Sequence, residues 1–498
     1  MSQDLQLILG AGVSGLSMAR WCRRQGQAVC VVDTREAACA RAREAIADLD
    51  VRHLPLDAAV LEQVRAAAIW VSPGLSPDDW GGLREAANRQ GLPVGNEVDL
   101  FAAGLAQHAG ERAAPICLAV TGTNGKTTVT ALTTHLLQAA GVDAVAAGNI
   151  GPAMLDALSA CLDADRWPAA WVLELSSFQL QGCQAFSPDA ATVLNLSPDH
   201  LDWHGDMAAY AAAKARIFGP ATHRILNRAD PQVMQWQPDE PPPKRRRKVD
   251  TALPPTWTSF AADLPTRLGD WGIETVNGMA WLVQAQGLDS GSTNARDDEP
   301  LFIQRLMPAE ALRIRGRHNW TNALAALALA SRVGPNLASM LHALRDYAGE
   351  AHRVQSVQWI GDVEYIDDSK GTNVGATLAA LHGLGADRRL VVILGGDGKG
   401  QDFAPLREAL QASARAVVLI GRDAGAIADV LRDVDFPIQR AASLPEAVRI
   451  AQAQASGGDV VLLSPACASF DMFDHYGHRA QVFVDAVQAL AEDAGVAP

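Results

Sequence analysis

The 498-residue chain is missing several features, and each absence closes off a class of function. Positive charge is in deficit: 42 Lys and Arg stand against 56 Asp and Glu. The formal net charge of −14 argues against a nucleic-acid-binding surface spread over the molecule. Paired cysteines are also missing. Cys22, Cys30, Cys39, Cys117, Cys161, Cys183 and Cys467 are odd in number and show no CxxC or His-paired spacing, which suits free thiols in a reducing compartment. No 18-residue uncharged apolar run occurs, so no membrane span is expected. The first residues, MSQDLQLILGAG, lack the basic start and cleavable apolar stretch of a secretory leader. With apolar residues at 48% and charged ones at 20%, the chain is expected to be globular and cytoplasmic, and its length predicts two to four domains.

Three stretches carry the alternation of an α/β fold wound around parallel sheets. In residues 1–108 the runs LQLILG, AVCVVDTR and AAIWVSPG alternate with Ala-rich helical sequence. Residues 109–349 repeat the pattern with ICLAVTG, AAWVLELSS, AATVLNLS and HRILN, and residues 350–498 with LVVILGGDG, AVVLIGRD and DVVLLSPA. The prediction is three α/β domains: a Rossmann-like N-terminal unit, a central P-loop ATPase-like parallel sheet, and a Rossmann-like C-terminal unit. Residues 231–300 interrupt the central domain. PDEPPPKRRRKVD and GLDSGSTNARDDEP mark this insertion as loop-rich. Lys244–Lys248 could be a nucleic-acid or targeting patch, but flanking acids and the absence of nearby stacking aromatics favour a solvated loop.

Chemistry concentrates first at Gly122-Thr123-Asn124-Gly125-Lys126-Thr127-Thr128, between a strand and a helix. Glycines let the backbone curl so that its N–H groups and the helix N-terminus surround phosphate oxygens. Lys126 would neutralise the β- and γ-phosphates, and the Thr127 hydroxyl could ligate Mg²⁺. Glu174 ends the apolar run AAWVLE, where a carboxylate is costly unless liganded or paired. His200, in LNLSPDHLDWHG, closes another strand of the same domain and either reaches the same metal from that edge or is a structural turn histidine. Lys214, among the alanines of MAAYAAAKARIF, reads by itself as a snorkelling surface lysine. The N-terminal Gly10-Ala11-Gly12-Val13-Ser14-Gly15, with Asp33 ending the next strand, is a plausible dinucleotide fingerprint, so a nicotinamide-dependent oxidoreductase stands as an alternative.

GTNGKTT resembles the ATP loop of the Mur ligases and of the related folylpolyglutamate synthetases, which join an amino acid to a carboxylate. The resemblance to the Mur ligases extends over almost the whole chain. It is carried by Gly148-Asn149-Ile150-Gly151, Leu173-Glu174-Leu175-Ser176-Ser177-Phe178-Gln179, Asp199-His200-Leu201-Asp202 and Gly316-Arg317-His318-Asn319-Trp320-Thr321-Asn322. Ala351-His352-Arg353, Asp368-Ser369-Lys370-Gly371-Thr372-Asn373 and Leu463-Ser464-Pro465-Ala466-Cys467-Ala468-Ser469-Phe470-Asp471 complete the set.

The resemblance implies an ATP-dependent amide ligase working through an acyl phosphate with two Mg²⁺ ions. Its ends look like those of the members that join D-glutamate to UDP-N-acetylmuramoyl-L-alanine. On that likeness the N-terminal domain holds the UDP-sugar at Val13, Ser14, Thr34, Arg35 and Gly74, with Asn149 and His200 reaching it from the central domain. Besides the loop residues 122–128, ATP would meet Asn322, His352, Arg353, Asp368 and Lys370. Metal would meet Thr127, Glu174, His200 and Lys214, the last as a carbamate. Glutamate would meet Thr372, Lys399, Ser469, Phe470 and Tyr476. Phe470, Tyr476 and Arg479-Ala480 depart from the usual Leu, Phe and Arg-Gly. A monomer in the bacterial cytoplasm is expected, its C-terminal domain rotating near Gly349 and Glu350. L-glutamate as substrate, a folate-type polyglutamate ligase, and a protein that binds polyanions through its basic loop remain as alternatives.

Overall fold

The computed structural model describes residues 5–110, 112–238, 257–287, 301–386 and 388–496. Lys244–Lys248 lie outside the described residues. The described chain builds three sheets whose inner strands are near-continuous apolar runs, as expected of parallel strands covered on both faces.

The N-terminal sheet is wholly parallel, in the spatial order Asp50–His53, Val29–Asp33, Gln6–Leu9, Ala68–Val71, Val94–Gly95. Its strand order reverses beside Gln6–Leu9, which opens a crevice at the carboxyl ends of that strand and Ala68–Val71. The central sheet has nine strands. Ala144–Gly148, Ala170–Glu174, Ile116–Thr121, Ala190–Val193, His223–Asn227, Trp257–Phe260 and Trp271–Val276 are parallel, and Met279–Gln286 and Phe302–Pro308 extend them antiparallel. The six-stranded C-terminal sheet is parallel except for its edge strand Gln355–Ile360.

The loop-rich reading of 231–300 needs correction over its described part. Residues 257–286 form three strands of the central sheet, with Trp257, Phe260, Trp271, Leu282 and Val283 buried. Proline and charge are concentrated in the two flanks, and they obscured a hairpin signal that the sequence does contain. Asn277-Gly278 joins two strands with φ of 50° and 81°, the left-handed pair that a two-residue turn requires.

The domains are not separate cores. Ile8, Met18 and Trp21 of the first pack through Phe101, on the helix Glu97–Ala109, onto Trp171 and Leu173 of the second. Phe101 meets Trp171 edge to face at 5.1 Å. On the other face of the central sheet the helix Arg317–Ala330, buried along nearly its whole length, packs against Lys126–Ala139. The phosphate loop therefore stands on a rigid base. All seven cysteines are unpaired, and no helix among the described residues is long and apolar enough to cross a membrane.

Candidate active site

The strand Ile116–Thr121 delivers the chain into Gly122, and the helix Lys126–Ala139 begins four residues later. Gly125, at φ 85°, makes the turn into the helix, and a Cβ there would lie 2.8 Å from Asn322 Oδ1. Only glycine fits both demands. Asn195 pins the loop from the neighbouring strand end: its Oδ1 accepts from Asn124 N at 2.9 Å and its Nδ2 donates to Asn124 O at 3.1 Å. No side chain caps the helix, so its first N–H groups point toward the cleft for a phosphate.

Two amines converge beneath the loop. Lys126 Nζ donates to Gly122 O (2.9 Å) and Thr123 O (2.8 Å), and Lys214 Nζ to the same Gly122 carbonyl (2.9 Å). Lys214 is 1% exposed on the helix Met207–Ala215, so it is no snorkelling surface residue. Burial, reinforced by Lys126, drives its pKa well below the ordinary lysine value. Burial lowers that of Lys126 too, against the pull of Glu174 and Asp199. The same burial favours the neutral amine, the form that adds CO₂, more than at an exposed lysine.

Glu174, at the end of Ala170–Glu174, is equally buried. Its Oε1 accepts from Asn149 Nδ2 at 2.7 Å, whereas Oε2 is buried without a partner. Thr127 Oγ1 accepts from Arg353 Nη2 at 2.8 Å and Lys370 Nζ at 3.3 Å. His200 does not close a strand. It lies seven residues beyond Ala190–Val193, at φ 54°, heading the short helix Leu201–His204, with its ring edge-on to Phe178 and Nε2 3.7 Å from Asp199 Oδ2. Among the described residues no group of three or more His, Cys, Asp or Glu is arranged so that it could hold a metal ion by itself. A hard cation that takes substrate and water oxygens needs only one or two carboxylates. The orphaned Glu174 oxygen and the Thr127 hydroxyl are hard oxygen donors of the kind that fits Mg²⁺.

A cavity of about 740 Å³ opens between the central and C-terminal domains. Asn124, Gly125, Thr128 and Asn322 line it from one side, Arg353 and Asp368 from the other. Gly122, Thr123, Lys126, Thr127, His352 and Lys370 are not in its lining, but Thr127, bonded to Arg353 and Lys370, continues it toward Lys126. His352 instead pairs with Asp367 at 2.8 Å. Asn322 Nδ2 donates to Asn319 Oδ1 (2.8 Å), and Asn319 Nδ2 to Arg315 O (2.6 Å). That relay turns the Asn322 oxygen toward Gly125 as an acceptor. Burial raises the pKa of Asp368 to about 7, although Ser464 Oγ donates to it at 2.7 Å. Sequence reasoning missed Asn195, Arg315 and the cavity-lining role of His318. Asn195 was legible as an amide just past a strand end facing the loop, whereas the other two depend on how the domains dock.

In the N-terminal crevice, Val13, Ser14, Thr34, Arg35 and Gly74 all follow carboxyl ends of strands, and Val13 is 75% exposed. Asp33 is engaged: its carboxylate accepts from Ala11 N at 2.8 Å and from the Arg35 backbone and guanidinium at 2.9–3.0 Å. A dinucleotide ribose would need those same oxygens, so the nicotinamide alternative loses its anchor. The five residues assigned to glutamate, Thr372, Lys399, Ser469, Phe470 and Tyr476, all belong to the C-terminal domain. Ser469 is buried, whereas Phe470 is 72% exposed and Lys399 lies at the surface. Arg479, fully buried, donates to Cys467 O (3.0 Å) and Ser369 O (2.8 Å), tying the two loops of that region together.

Three family models match in order along the chain: the Mur ligase MurD-like N-terminal domain at 4–94, the Mur ligase middle domain at 120–248, and the Mur ligase glutamate ligase domain at 352–467. The UDP-N-acetylmuramoylalanine–D-glutamate ligase of Albidiferax ferrireducens is 54% identical over 496 residues, covering 99% of this chain and 97% of the relative. That of Ralstonia nicotianae is 50% identical, covering 100% and 99%. Among solved structures, the UDP-N-acetylmuramate-alanine ligase MurC of Thermotoga maritima superposes with a TM-score of 0.55 at 19% identity, covering 98% of this chain and 100% of that one. MurF ligase of Thermotoga maritima in complex with ADP gives 0.56 at 16%, covering 86% and 90%. At such identities the structural likeness is one of fold. The chain belongs to the Mur ligase family, and the relatives that match it end to end are UDP-N-acetylmuramoylalanine–D-glutamate ligases.

Proposed function

We propose that this protein uses ATP to join D-glutamate to UDP-N-acetylmuramoyl-L-alanine through an acyl phosphate, as a cytoplasmic monomer in the synthesis of a peptidoglycan precursor. The observation that carries the reading is the convergence of two lysine amines on Gly122 O, beneath a phosphate loop. UDP-sugar would lie along Val13, Ser14, Thr34, Arg35 and Gly74, its alanine end directed toward Asn149 and His200. ATP would fill the cavity between the central and C-terminal domains. Asn322 Oδ1, left as an acceptor, suits the exocyclic amine of adenine.

The alanine carboxylate attacks the γ-phosphorus, an O–P bond forms, the bond to the β-phosphate oxygen breaks, and ADP leaves. The amine of glutamate then attacks the acyl carbon, an amide forms, and inorganic phosphate departs as the amine sheds a proton. Lys126 exchanges its loop carbonyls for the phosphates and neutralises the charge gathering there. Thr127, Glu174, His200 and the Lys214 carbamate would hold two Mg²⁺ ions, which screen the phosphate from the incoming carboxylate. Thr372, Lys399 and Ser469 supply cationic and hydroxyl donors for the glutamate carboxylates, with Phe470 and Tyr476 alongside.

The test is phosphate release from ATP with UDP-N-acetylmuramoyl-L-alanine and Mg²⁺, comparing D-glutamate, L-glutamate and no amino acid. Stimulation by D-glutamate alone is expected. Stimulation by L-glutamate would change the product, and no release with either would sink the reading. The L-glutamate and folate-type alternatives find no support among the relatives. A pH effect follows as well. Asp368 loses its charge as pH falls through about 7, not near the ordinary value of 3.8. An ionised acceptor holds a ribose hydroxyl more tightly than a neutral one, so the ATP Kd should rise about threefold to tenfold between pH 8 and pH 6. Titration calorimetry checks it, and a flat profile would remove Asp368 from the nucleotide site.

A further inference from the structure

Asn373 ends the Asp-Ser-Lys-Gly-Thr-Asn segment and has no part in the mechanism above. It is the N-cap of the helix Val374–Leu384, its Oδ1 accepting from Ala376 N at 2.8 Å. Capping alone would be served by Ser, Thr or Asp. Asn adds an amide, and here both of its hydrogens leave the domain. Asn373 Nδ2 donates to Asn124 Oδ1, in the phosphate loop, at 3.2 Å and to Asp199 Oδ2 at 3.2 Å. Asp199 in turn accepts from His200 N at 3.1 Å and has its Oδ2 3.7 Å from His200 Nε2. The residue is 6% exposed, so water competes little for these bonds. The approach is close: a Cβ at Gly375 would lie 3.0 Å from Asn124 Nδ2 and 3.2 Å from Ser197 Oγ.

One carboxamide thus touches the phosphate loop and the carboxylate beside His200, and its chain neighbour is Thr372, assigned to glutamate. Arg353 and Lys370 also cross to the central domain, but each lands on Thr127 alone. We propose that Asn373 is a positioning residue that couples the seating of the glutamate-binding segment to the alignment of the phosphate loop and the His200 loop. The proposal rests on the ligase reading. With the amide in place, glutamate on the 368–373 segment and the phosphate-transfer groups share one docked geometry. Without it, each domain binds its own ligand but the two are no longer held in register.

The test uses Asn373→Ser and Asn373→Asp in the full chain, both of which keep the cap acceptor and lose the donors. Asn336→Ser is the control, since Asn336 caps the helix Leu337–Asp346 without bonding to the other domain. A lost hydrogen bond to a carboxylate in a buried site predicts a fall in kcat of about 10- to 100-fold, with the KM for D-glutamate rising severalfold. Asn373→Asp should lose more than Asn373→Ser, because its carboxylate faces Asp199. The ATP Kd is expected to stay within about threefold and the melting temperature within about 2 °C of the parent, as a conserved cap predicts. A glutamate KM and kcat within twofold of the parent in both variants would overturn the proposal. So would a kcat loss with unchanged glutamate KM, or equal losses in Asn336→Ser. If the parent itself shows no glutamate-stimulated phosphate release, the ligase reading fails instead.

Discussion

Lys126→Ala is expected to lower glutamate-stimulated phosphate release about 1,000-fold, the upper range for deleting one preorganised donor to developing charge. On the proposed mechanism the amine meets the γ-phosphate charge, and nothing nearby replaces it. Lys214, as the proposed carbamate, carries no positive charge to offer, and Arg353 and Lys370 are engaged at Thr127. The fold should tolerate the loss. Among the described residues Lys126 is hydrogen-bonded to backbone carbonyls of its own loop, and burial lowers its pKa, so keeping the ammonium there costs stability. Circular dichroism and a melting temperature within a few degrees of the parent would accompany the inactive enzyme. More than a tenth of the parental rate would mean that the loop does not hold the transferred phosphate.

Lys214→Met is expected to move activity and stability in opposite directions. Activity should fall at least about 100-fold if the lysine supplies metal oxygens as a carbamate, because a missing ligand weakens charge stabilisation at the reacting phosphate. Stability should rise by about 1–2 kcal/mol, since an apolar side chain of similar length avoids burying an amine at poor compensation. The pH dependence fixes the sign. Burial lowers the folded-state pKa, so below the ordinary lysine value of 10.5 the unfolded chain binds a proton that the folded chain does not. This lysine therefore contributes a part of the unfolding free energy that climbs with pH across that window, and the variant lacks that part. Denaturant unfolding of parent and variant between pH 7 and 9 reads it: the variant should be the more stable at pH 7, with the gap narrowing toward pH 9. A variant less stable at both pH values would show that the bonds to Gly122 and Thr121 outweigh burial.

Much of this site was legible because its chemistry is local. A Gly-rich turn between strand and helix has one ordinary use, and Glu174 at the end of an apolar strand had to be liganded or paired. The three α/β units were legible for the same reason, as apolar runs alternating with helical sequence. What was hidden depends on which surfaces meet. Lys214 reads as a surface residue because alanines surround it in sequence. It is buried because its helix packs against the phosphate loop, where Tyr210 lies under the amine at 4.6 Å. His200 looked like a strand terminus, whereas a left-handed turn and Phe178 aim its ring. The strands at 257–286 were obscured by the polar sequence on either side of them, even though Asn277-Gly278 announced the hairpin.

Arg479 has a consequence for how such enzymes diverge. Its guanidinium clamps the 369 and 467 carbonyls together, and Thr372, Lys399, Ser469, Phe470 and Tyr476 lie on the same domain. If those five residues form the proposed amino-acid site, its lining can change while the phosphate loop, carried by another domain, stays as it is. On the proposed assignment, exchange of the C-terminal third between relatives becomes a route to new amino-acid selectivity, provided the graft keeps its half of the ATP cleft. The limit on that exchange is set by the few residues that cross the cleft, so a grafted domain must bring an amide at 373 and cations at 353 and 370 to be read by its host.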